Sequence, residues 1–169
     1  MEKKSYFRRA GLFKRLGCTL LKIILYGFLF SLFYIVLCKW VNPPITITQF
    51  QSLLMGHELH RDYIGYNEMG NNIKLAVMSG EDQLFPDHNG FDFKSIQKAM
   101  KHNQKSKSLR GASTISQQVA KNVFLWQHGG YFRKGLEVYF TFMIEHVWGK
   151  KRILQMYLNV AQTGKGIFG

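Results

Sequence analysis

Residues 111–122 have the sequence GASTISQQVAKN, and this stretch predicts a helix. Thr114 and Gln117 have the spacing of a capping box, in which each side chain bonds the backbone N–H of the other residue. Apolar residues then recur at i, i+4 spacing on one side, and polar residues occupy the other side. We expect a helix that opens at Gly111 and has one packing face and one face for a ligand.

Apolar residues recur at helical spacing through the rest of residues 42–169. Thr48 with Gln51 predicts one helix N-terminus, Asp92 predicts another, and a helix is expected to lead into Glu81. The last long helix is expected to bury a stripe of apolar side chains: Phe132, Leu136, Tyr139, Phe140, Met143 and Val147. The sequence has no alternating strand pattern, repeat or low-complexity tract, so the predicted fold class is all-α.

Positive charge is concentrated between two carboxylates. The chain carries a formal net charge of +13, of which residues 42–169 carry +6, from 15 basic and 9 acidic residues. No acidic residue lies between Asp92 and Glu137, whereas this interval contains Lys94, Lys98, Lys101, Lys105, Lys107, Arg110, Lys121, Arg133 and Lys134. Residues 103–110 of this interval are predicted to form a mobile loop. Fixed positive charge beside carboxylates suits acid–base chemistry on a phosphorylated substrate, and this placement favours such a substrate over nucleic acid.

The first 41 residues predict a membrane anchor. Residues 1–15 form a basic tail, residues 16–41 form an apolar helix long enough to span a bilayer, and Pro43 and Pro44 end it before the domain of residues 42–169. The basic tail predicts a cytoplasmic N-terminus and a domain outside the cytoplasm. A cleaved signal peptide is the alternative, but no small-x-small site follows the apolar run.

Cysteine and histidine residues predict neither a disulfide nor a metal site. Cys18 and Cys38 are separated by twenty helical residues, about 30 Å, which is beyond disulfide reach. His57 and His60 have the spacing of a helical pair, but no third ligand accompanies them. The predicted domain therefore depends on its apolar core for stability.

Four segments together resemble the motifs of a known family. They are EDQLFPDHNGFD at 81–92, GASTISQQVAKN at 111–122, RKGLE at 133–137 and KRILQMYLN at 151–159. In this order and behind an anchor, they resemble the peptidoglycan glycosyltransferases, glycosyltransferase family 51. The resemblance implies a lysozyme-like fold with a larger helical lobe and a smaller lobe that dips into the membrane. The family normally continues beyond the equivalent of Gly169, so the C-terminal part of the domain is expected to be missing.

The family resemblance also implies an activity. It implies polymerisation of lipid II into β-1,4-linked glycan strands with release of undecaprenyl diphosphate, in the cytoplasmic membrane and alongside cell-wall synthesis proteins. Glu81 matches the general base, and Glu137 matches a second carboxylate that assists the departing diphosphate, directly or through Mg²⁺ or Mn²⁺. The matching substrate-binding positions are Ser113, Thr114, Gln117, Gln118, Lys121, Asn122 and Arg133.

Simpler interpretations of the same residues remain open. Glu81 could be an ordinary helix-end carboxylate, and Glu137 with Arg133 could be an i, i+4 surface pair worth a few tenths of a kcal/mol. His88 is expected to brace the loop that follows Glu81. At the level of the whole chain, the alternatives are a lysozyme-like lytic enzyme, which would share a catalytic glutamate, and an inactive membrane-tethered fragment.

The charge asymmetry around the anchor predicts topology. A C-terminal fusion to alkaline phosphatase should be active in bacterial cells, because this reporter works only outside the cytoplasm and the basic tail keeps the N-terminus inside. A matched fusion to β-galactosidase should be inactive. The reverse pattern would contradict the predicted orientation.

Overall fold

The computed structural model describes residues 2–106 and 108–169, with side chains from Arg15 onward. Lys107 and the side chains of the basic tail, to which part of the charge analysis refers, lie outside the described residues. The chain divides into two compact units, one ending at Leu37 and the other comprising Cys38–Gly169.

Most of the described chain is helical. The helices are α1 (Glu2–Cys38), α2 (Ile47–Leu54), α3 (Asn71–Glu81), α4 (Phe93–Lys105), α5 (Ile115–Phe124), α6 (Tyr131–Val147) and α7 (Lys150–Val160). Three short strands accompany them: β1 (His60–Arg61), β2 (Gln162–Gly164) and β3 (Ile167–Phe168). The fold class predicted from helical periodicity is confirmed, with a small sheet in addition.

The first unit is part of a single long helix. Within α1, the segment Arg15–Cys38 has 24 residues and a mean hydropathy of 2.3. Its length and composition are sufficient to cross a membrane, since about 20 apolar residues span the hydrocarbon layer. The helix is therefore consistent with the predicted membrane anchor.

Helix α5 lies at the centre of the second unit and packs against both α6 and α7. Its Ile115, Val119 and Ala120 side chains are fully buried, as are Ile144 of α6 and Met156 of α7. Burial of such aliphatic side chains contributes roughly 1.5–3 kcal/mol each. The face of α5 predicted to be apolar is therefore the core of the domain.

The capping box that was predicted for α5 is confirmed. Thr114 Oγ1 accepts from the Gln117 N–H at 3.2 Å, and Gln117 Oε1 accepts from the Thr114 N–H at 3.0 Å. The helix, however, begins at Ile115 and not at Gly111, because Thr114 is extended, with φ −74° and ψ 163°. The expectation that Gly111 opens the helix is therefore wrong.

Two other predicted helix starts have different outcomes. Asp92 does cap α4, since its Oδ1 accepts from the Ser95 N–H at 3.0 Å. Helix α2 is capped by Thr46, whose capping-box partner is Gln49, so the cap lies two residues earlier than predicted. The predicted Thr48 cap is wrong because the Thr48 hydroxyl instead donates to the Asn122 carbonyl at 3.0 Å, which joins α2 to α5.

The buried face of α6 also differs from the predicted apolar stripe. Glu137, Thr141 and Ile144 are the buried residues of this helix, while Phe132 is 75% exposed. The stripe prediction assumed that apolar side chains decide which face turns inward. Here a buried carboxylate and a hydroxyl occupy that face, and both are satisfied by hydrogen bonds.

The small sheet joins two distant parts of the chain in the order β1-β3-β2, with β1 parallel and β2 antiparallel to β3. Strands of two or three residues are too short to show alternation, which is why the sequence did not predict them. His60 lies in β1 and His57 in the preceding loop, so the expected helical pair of histidines is wrong.

Arg152 of α7 holds the segment that leads into the domain. Its Nη2 donates to the Cys38 carbonyl at 2.8 Å and to the Val41 carbonyl at 3.1 Å, and its Nε donates to Cys38 at 3.1 Å. The Cys38 carbonyl lies at the end of α1 and the Val41 carbonyl lies beyond it. Carbonyl groups at a helix C-terminus have no N–H partner within the helix. Burial lowers the pKa of Arg152 from its ordinary value.

Gly166 should be the position in the sheet that is least tolerant of a side chain. It has φ +73°, and a Cβ there would overlap the Glu58 carbonyl oxygen. Gly166→Ala should therefore lower the free energy of unfolding by more than the roughly 1–2 kcal/mol of a positive-φ alanine. Gly56→Ala is the matched control, since Gly56 has φ +79° and open space around it. Equal losses in thermal unfolding monitored by circular dichroism would contradict the overlap.

Candidate active site

The Glu81 side chain stands at the C-terminal end of α3 and is exposed to solvent. Its Oε2 accepts a hydrogen bond from Nε2 of Gln118 on α5 at 2.8 Å. This contact ties together residues from two of the motifs, 37 positions apart in the chain. Among the described residues, no hydrogen bond engages the other carboxylate oxygen, Oε1.

The neighbouring carboxylate, Asp82, is buried and structural. It accepts from the Ile115 N–H at 3.0 Å and from His88 Nε2 at 2.9 Å. His88 Nδ1 accepts from the Gly90 N–H at 3.1 Å, which leaves the His88 proton on Nε2, facing Asp82. The carboxylate therefore connects the end of α3, the loop after it and the first N–H of α5. The expectation that His88 braces this loop agrees with this geometry.

A second layer of polar groups supports that loop from α6 and α7. Lys150 Nζ donates to the His88 carbonyl and to Glu145 Oε1, the latter at 2.8 Å. Glu145 also accepts from the hydroxyl of Ser116 on α5. Lys150 further lies over the Phe85 ring, 4.5 Å from its centroid. The loop after Glu81 is thereby joined to α5, α6 and α7 by charge-assisted hydrogen bonds, the stronger class of such bonds.

A cleft of about 710 Å³ opens beside Glu81. Of the residues predicted to bind substrate, Ser113, Thr114 and Gln118 line it. Lys98 and Arg110 also line it, on the wall formed by α4 and the loop after it. The Asn103 side chain holds this loop, bonding the Arg110 N–H at 2.7 Å and the Arg110 carbonyl at 3.1 Å.

The second predicted carboxylate, Glu137, is buried and surrounded by cations. Its Oε2 accepts from Arg133 Nη1 at 2.8 Å, and its Oε1 accepts from Lys134 Nζ. Burial lowers the pKa of Lys121 from its ordinary value; Glu137 opposes this shift, while Arg133 and Lys134 add to it. Lys121, Arg133, Lys134 and Glu137 form one group, here called the cationic cluster, with a formal charge of +3 − 1 = +2.

One donor in the cationic cluster has no partner within the described part of the protein. Arg133 Nε is buried and unpaired, although Arg133 Nη1 bonds Glu137. A buried donor without a partner costs about 1–3 kcal/mol. An anionic ligand that supplied an acceptor there would remove this cost.

Three predicted substrate-binding residues use their side chains within the protein. Thr114 and Gln117 form the capping box, and the Thr114 hydroxyl also donates to the Gly90 carbonyl at 2.7 Å. Asn122 is buried, and its Oδ1 accepts from Gln127 Nε2 at 3.1 Å. The Thr114 and Ile115 N–H groups at the start of α5 are also bonded, to Gln117 Oε1 and Asp82 Oδ2, and are therefore not free to bind an anion.

Comparison with known proteins assigns the family. The family model described as Transglycosylase matches residues 47–169 of the chain. The chain belongs to the transglycosylase family.

Curated relatives agree with this family. The chain is 44% identical over 165 residues to a biosynthetic peptidoglycan transglycosylase of Pseudomonas aeruginosa, covering 94% of the chain and 69% of the relative. It is 45% identical over 156 residues to the Pseudomonas syringae protein of that name, covering 89% and 66%. For the Bacteroides thetaiotaomicron protein of that name, identity is 45% over 153 residues, covering 89% and 58%. The chain thus spans roughly three fifths to two thirds of these relatives' length.

Several residues of this transglycosylase site were not predicted as site residues. They are Lys134 in the cationic cluster, Lys98 and Arg110 on the cleft wall, and Asp82 beneath the cleft. Lys134 could have been found from its i, i+3 spacing to Glu137. Lys98 lines the cleft, whereas its neighbours on α4, Lys94 and Lys101, do not. No sequence pattern indicated Arg110, because the long-range packing of its loop brings it to the cleft.

The residues around Glu137 do not fit a divalent cation. Both of its carboxylate oxygens accept from cationic side chains. Among the described residues, no three His, Cys, Asp or Glu side chains are grouped as metal ligands would be. Mg²⁺ and Mn²⁺ require several oxygen ligands and are repelled by lysine and arginine. The cationic cluster itself supplies the positive charge that a metal ion would bring.

Asp82→Asn should destabilise the protein, because asparagine places an NH₂ group against donors that now bond a carboxylate. The expected loss in the free energy of unfolding is about 1.5–3 kcal/mol. Asp87→Asn, in an exposed position of the same loop, is the matched control and should be near neutral. Thermal unfolding in detergent measures both variants. A wild-type midpoint for Asp82→Asn would mean that the buried carboxylate does not hold the loop.

Proposed function

We propose that this transglycosylase polymerises lipid II into β-1,4-linked glycan strands and releases undecaprenyl diphosphate. The observation that carries the proposal is the pairing, along one helix, of a held carboxylate with a cationic cluster. Gln118, which bonds Glu81, and Lys121 of the cluster are three residues apart on α5, an axial rise of about 4.5 Å. The residue that bonds the carboxylate and a member of the cationic cluster therefore lie within one turn of the same helix.

In this reaction Glu81 acts as the general base. The 4-hydroxyl oxygen of the acceptor sugar forms a bond to C1 of the donor sugar, and its proton passes to Oε1 of Glu81. The C1–O bond to the diphosphate breaks with both electrons on the departing oxygen. In-line displacement of an α-linked diphosphate gives the β product, so the base and the leaving group must lie on opposite sides of C1.

The cationic cluster stabilises the charge that develops on the diphosphate. Its net charge of +2 matches in magnitude the charge of a diphosphate diester, and cationic side chains form charge-assisted hydrogen bonds to phosphate oxygens. The lowered pKa of Lys121 reflects burial of a cation, and an incoming anion would offset that penalty. Glu137 in this account orients Arg133 and Lys134 and keeps them from repelling each other.

The membrane setting follows from the same proposal. Lipid II is held in the bilayer by its lipid chain, and α1 would keep the domain beside it. With the tail in the cytoplasm, the domain would lie on the outer side of the membrane. Polymerisation of lipid II takes place on that side. The growing glycan strand is the second partner, and membrane lipids and cell-wall synthesis proteins would surround the complex.

A lytic, lysozyme-like reaction is the second candidate. It would use a glutamate such as Glu81 to cleave an existing glycan. Hydrolysis of a glycosidic bond produces no diphosphate, so the cationic cluster would have no role in it. Incubation with labelled lipid II and, separately, with preformed glycan distinguishes the two reactions: polymerisation lengthens the first, and lysis shortens the second.

Glu81→Gln should abolish polymerisation while leaving the fold intact. The amide has the same shape but cannot accept the proton of the 4-hydroxyl, and loss of a positioned base costs at least about a hundredfold. Gel analysis of products from labelled lipid II measures the rate. Glu68→Gln is the control, since Glu68 lies outside the cleft. Retained polymerisation by Glu81→Gln would remove Glu81 from the role of base.

Loss of charge in the cationic cluster should lower activity more than loss of charge on the exposed surface. Lys121→Ala or Arg133→Ala should lower kcat/KM about ten- to a hundredfold, the equivalent of about 1.5–3 kcal/mol for a charge-assisted contact. The combined change of Lys94 and Lys101 to Gln removes two exposed charges of α4 and should spare activity in neutral detergent. Equal losses in the two sets would show that positive charge acts only as a diffuse field.

A further inference from the structure

Behind Glu81, the Gln118 side chain is held from both ends. Its Nε2 donates to Glu81 Oε2 at 2.8 Å, and its Oε1 lies 3.5 Å from the hydroxyl of Tyr157. An ionised carboxylate only accepts hydrogen bonds, so the amide must turn its NH₂ group towards Glu81. This orientation leaves the amide oxygen facing Tyr157, whose hydroxyl donates to it.

The position of Tyr157 on α7 allows this contact. Its side chain is only 7% exposed, and α7 packs directly against α5. Burial raises the pKa of Tyr157 above its ordinary value, and the negative charge of Glu81 raises it further. The hydroxyl therefore stays protonated at neutral pH and remains a donor.

We propose that Tyr157 is a positioning residue for the catalytic base: it fixes the Gln118 amide so that the NH₂ group stays on Glu81. The inference rests on the proposed function, in which Glu81 takes the proton of the acceptor hydroxyl. With Oε2 engaged by Gln118, the free oxygen Oε1 has a defined direction into the cleft. Without Tyr157 the amide can rotate, and the carboxylate loses that direction.

This role differs from simple packing in what it predicts. The hydroxyl contact is long, at 3.5 Å, so its loss should change stability little. Tyr157→Phe keeps the ring and its burial, and removes only the donor. Substrate binding should be preserved, because Tyr157 does not line the cleft. The effect should therefore fall on kcat and spare KM.

The test is a double-mutant cycle on the 169-residue chain in detergent, with lipid II as substrate. Tyr157→Phe should lower kcat about three- to tenfold, with KM and the thermal midpoint unchanged. Gln118→Ala should lower kcat further, and adding Tyr157→Phe to it should have no additional effect, because the tyrosine acts through the amide. Multiplicative losses, or a Tyr157→Phe variant with wild-type kcat, would overturn the proposal.

Tyr63→Phe is the control, because it removes another weakly bonded tyrosine hydroxyl. Tyr63 accepts from Arg61 Nη1 at 3.4 Å and lies outside the cleft. The kcat of the Tyr63→Phe variant should equal that of the wild type. A comparable fall in kcat would show that the effect of Tyr157→Phe is generic, and would also overturn the proposal.

A spectroscopic measurement decides the inference independently of catalysis. In protein labelled with ¹⁵N-glutamine, the Gln118 NH₂ signals are identified by their absence in Gln118→Ala. Tyr157→Phe should shift or broaden these signals, and Tyr63→Phe should leave them unchanged. Unchanged signals in Tyr157→Phe would overturn the positioning role. If the wild type makes no glycan, the proposed function fails, while this measurement still decides the contact.

Discussion

The hydrogen bond from the Ile115 N–H to the Asp82 carboxylate is the contact on which the site depends. It connects Asp82, the first residue after α3, to the first residue of α5, across 33 positions of sequence. Because Ile115 is fully buried, its N–H has no access to water and must find a partner in the protein. Asp82 supplies that partner, and the adjacent Glu81 is thereby held against the polar side of α5.

Helix α5 then serves two purposes at once. Its apolar face forms the centre of the core, and its other face carries Gln118 and Lys121 towards the carboxylate and the cationic cluster. A rigid helix holds such groups at fixed separation, which is what reactions with in-line geometry require. The capping box of Thr114 and Gln117 fixes where this helix begins, and therefore where the functional side chains point. Residues that matched the family's substrate positions thus include some whose contacts are within the helix itself.

The sequence predicted most of what depends on local rules. The capping box of Thr114 and Gln117, the Asp92 cap, the long apolar helix and the all-α class follow from spacing along the chain, and a helix ending at Glu81 was expected. Contacts that depend on packing between distant segments were less accessible. The inward face of α6 was mispredicted because a satisfied carboxylate, Glu137, is buried where apolar residues were expected. The short strands, and the positions of Lys98 and Arg110 at the cleft, are likewise set by tertiary packing and not by local pattern.

The Arg152 contacts fix where the chain enters the domain. A single guanidinium group ties the backbone at Cys38 and Val41 to α7. Tyr157, the contact to Gln118, lies five residues further along α7, an axial rise of about 7.5 Å. One helix therefore links the point of attachment to the amide beside the base. Two side-chain contacts, from Tyr157 to Gln118 and from Gln118 to Glu81, then lie between that helix and the carboxylate at the cleft.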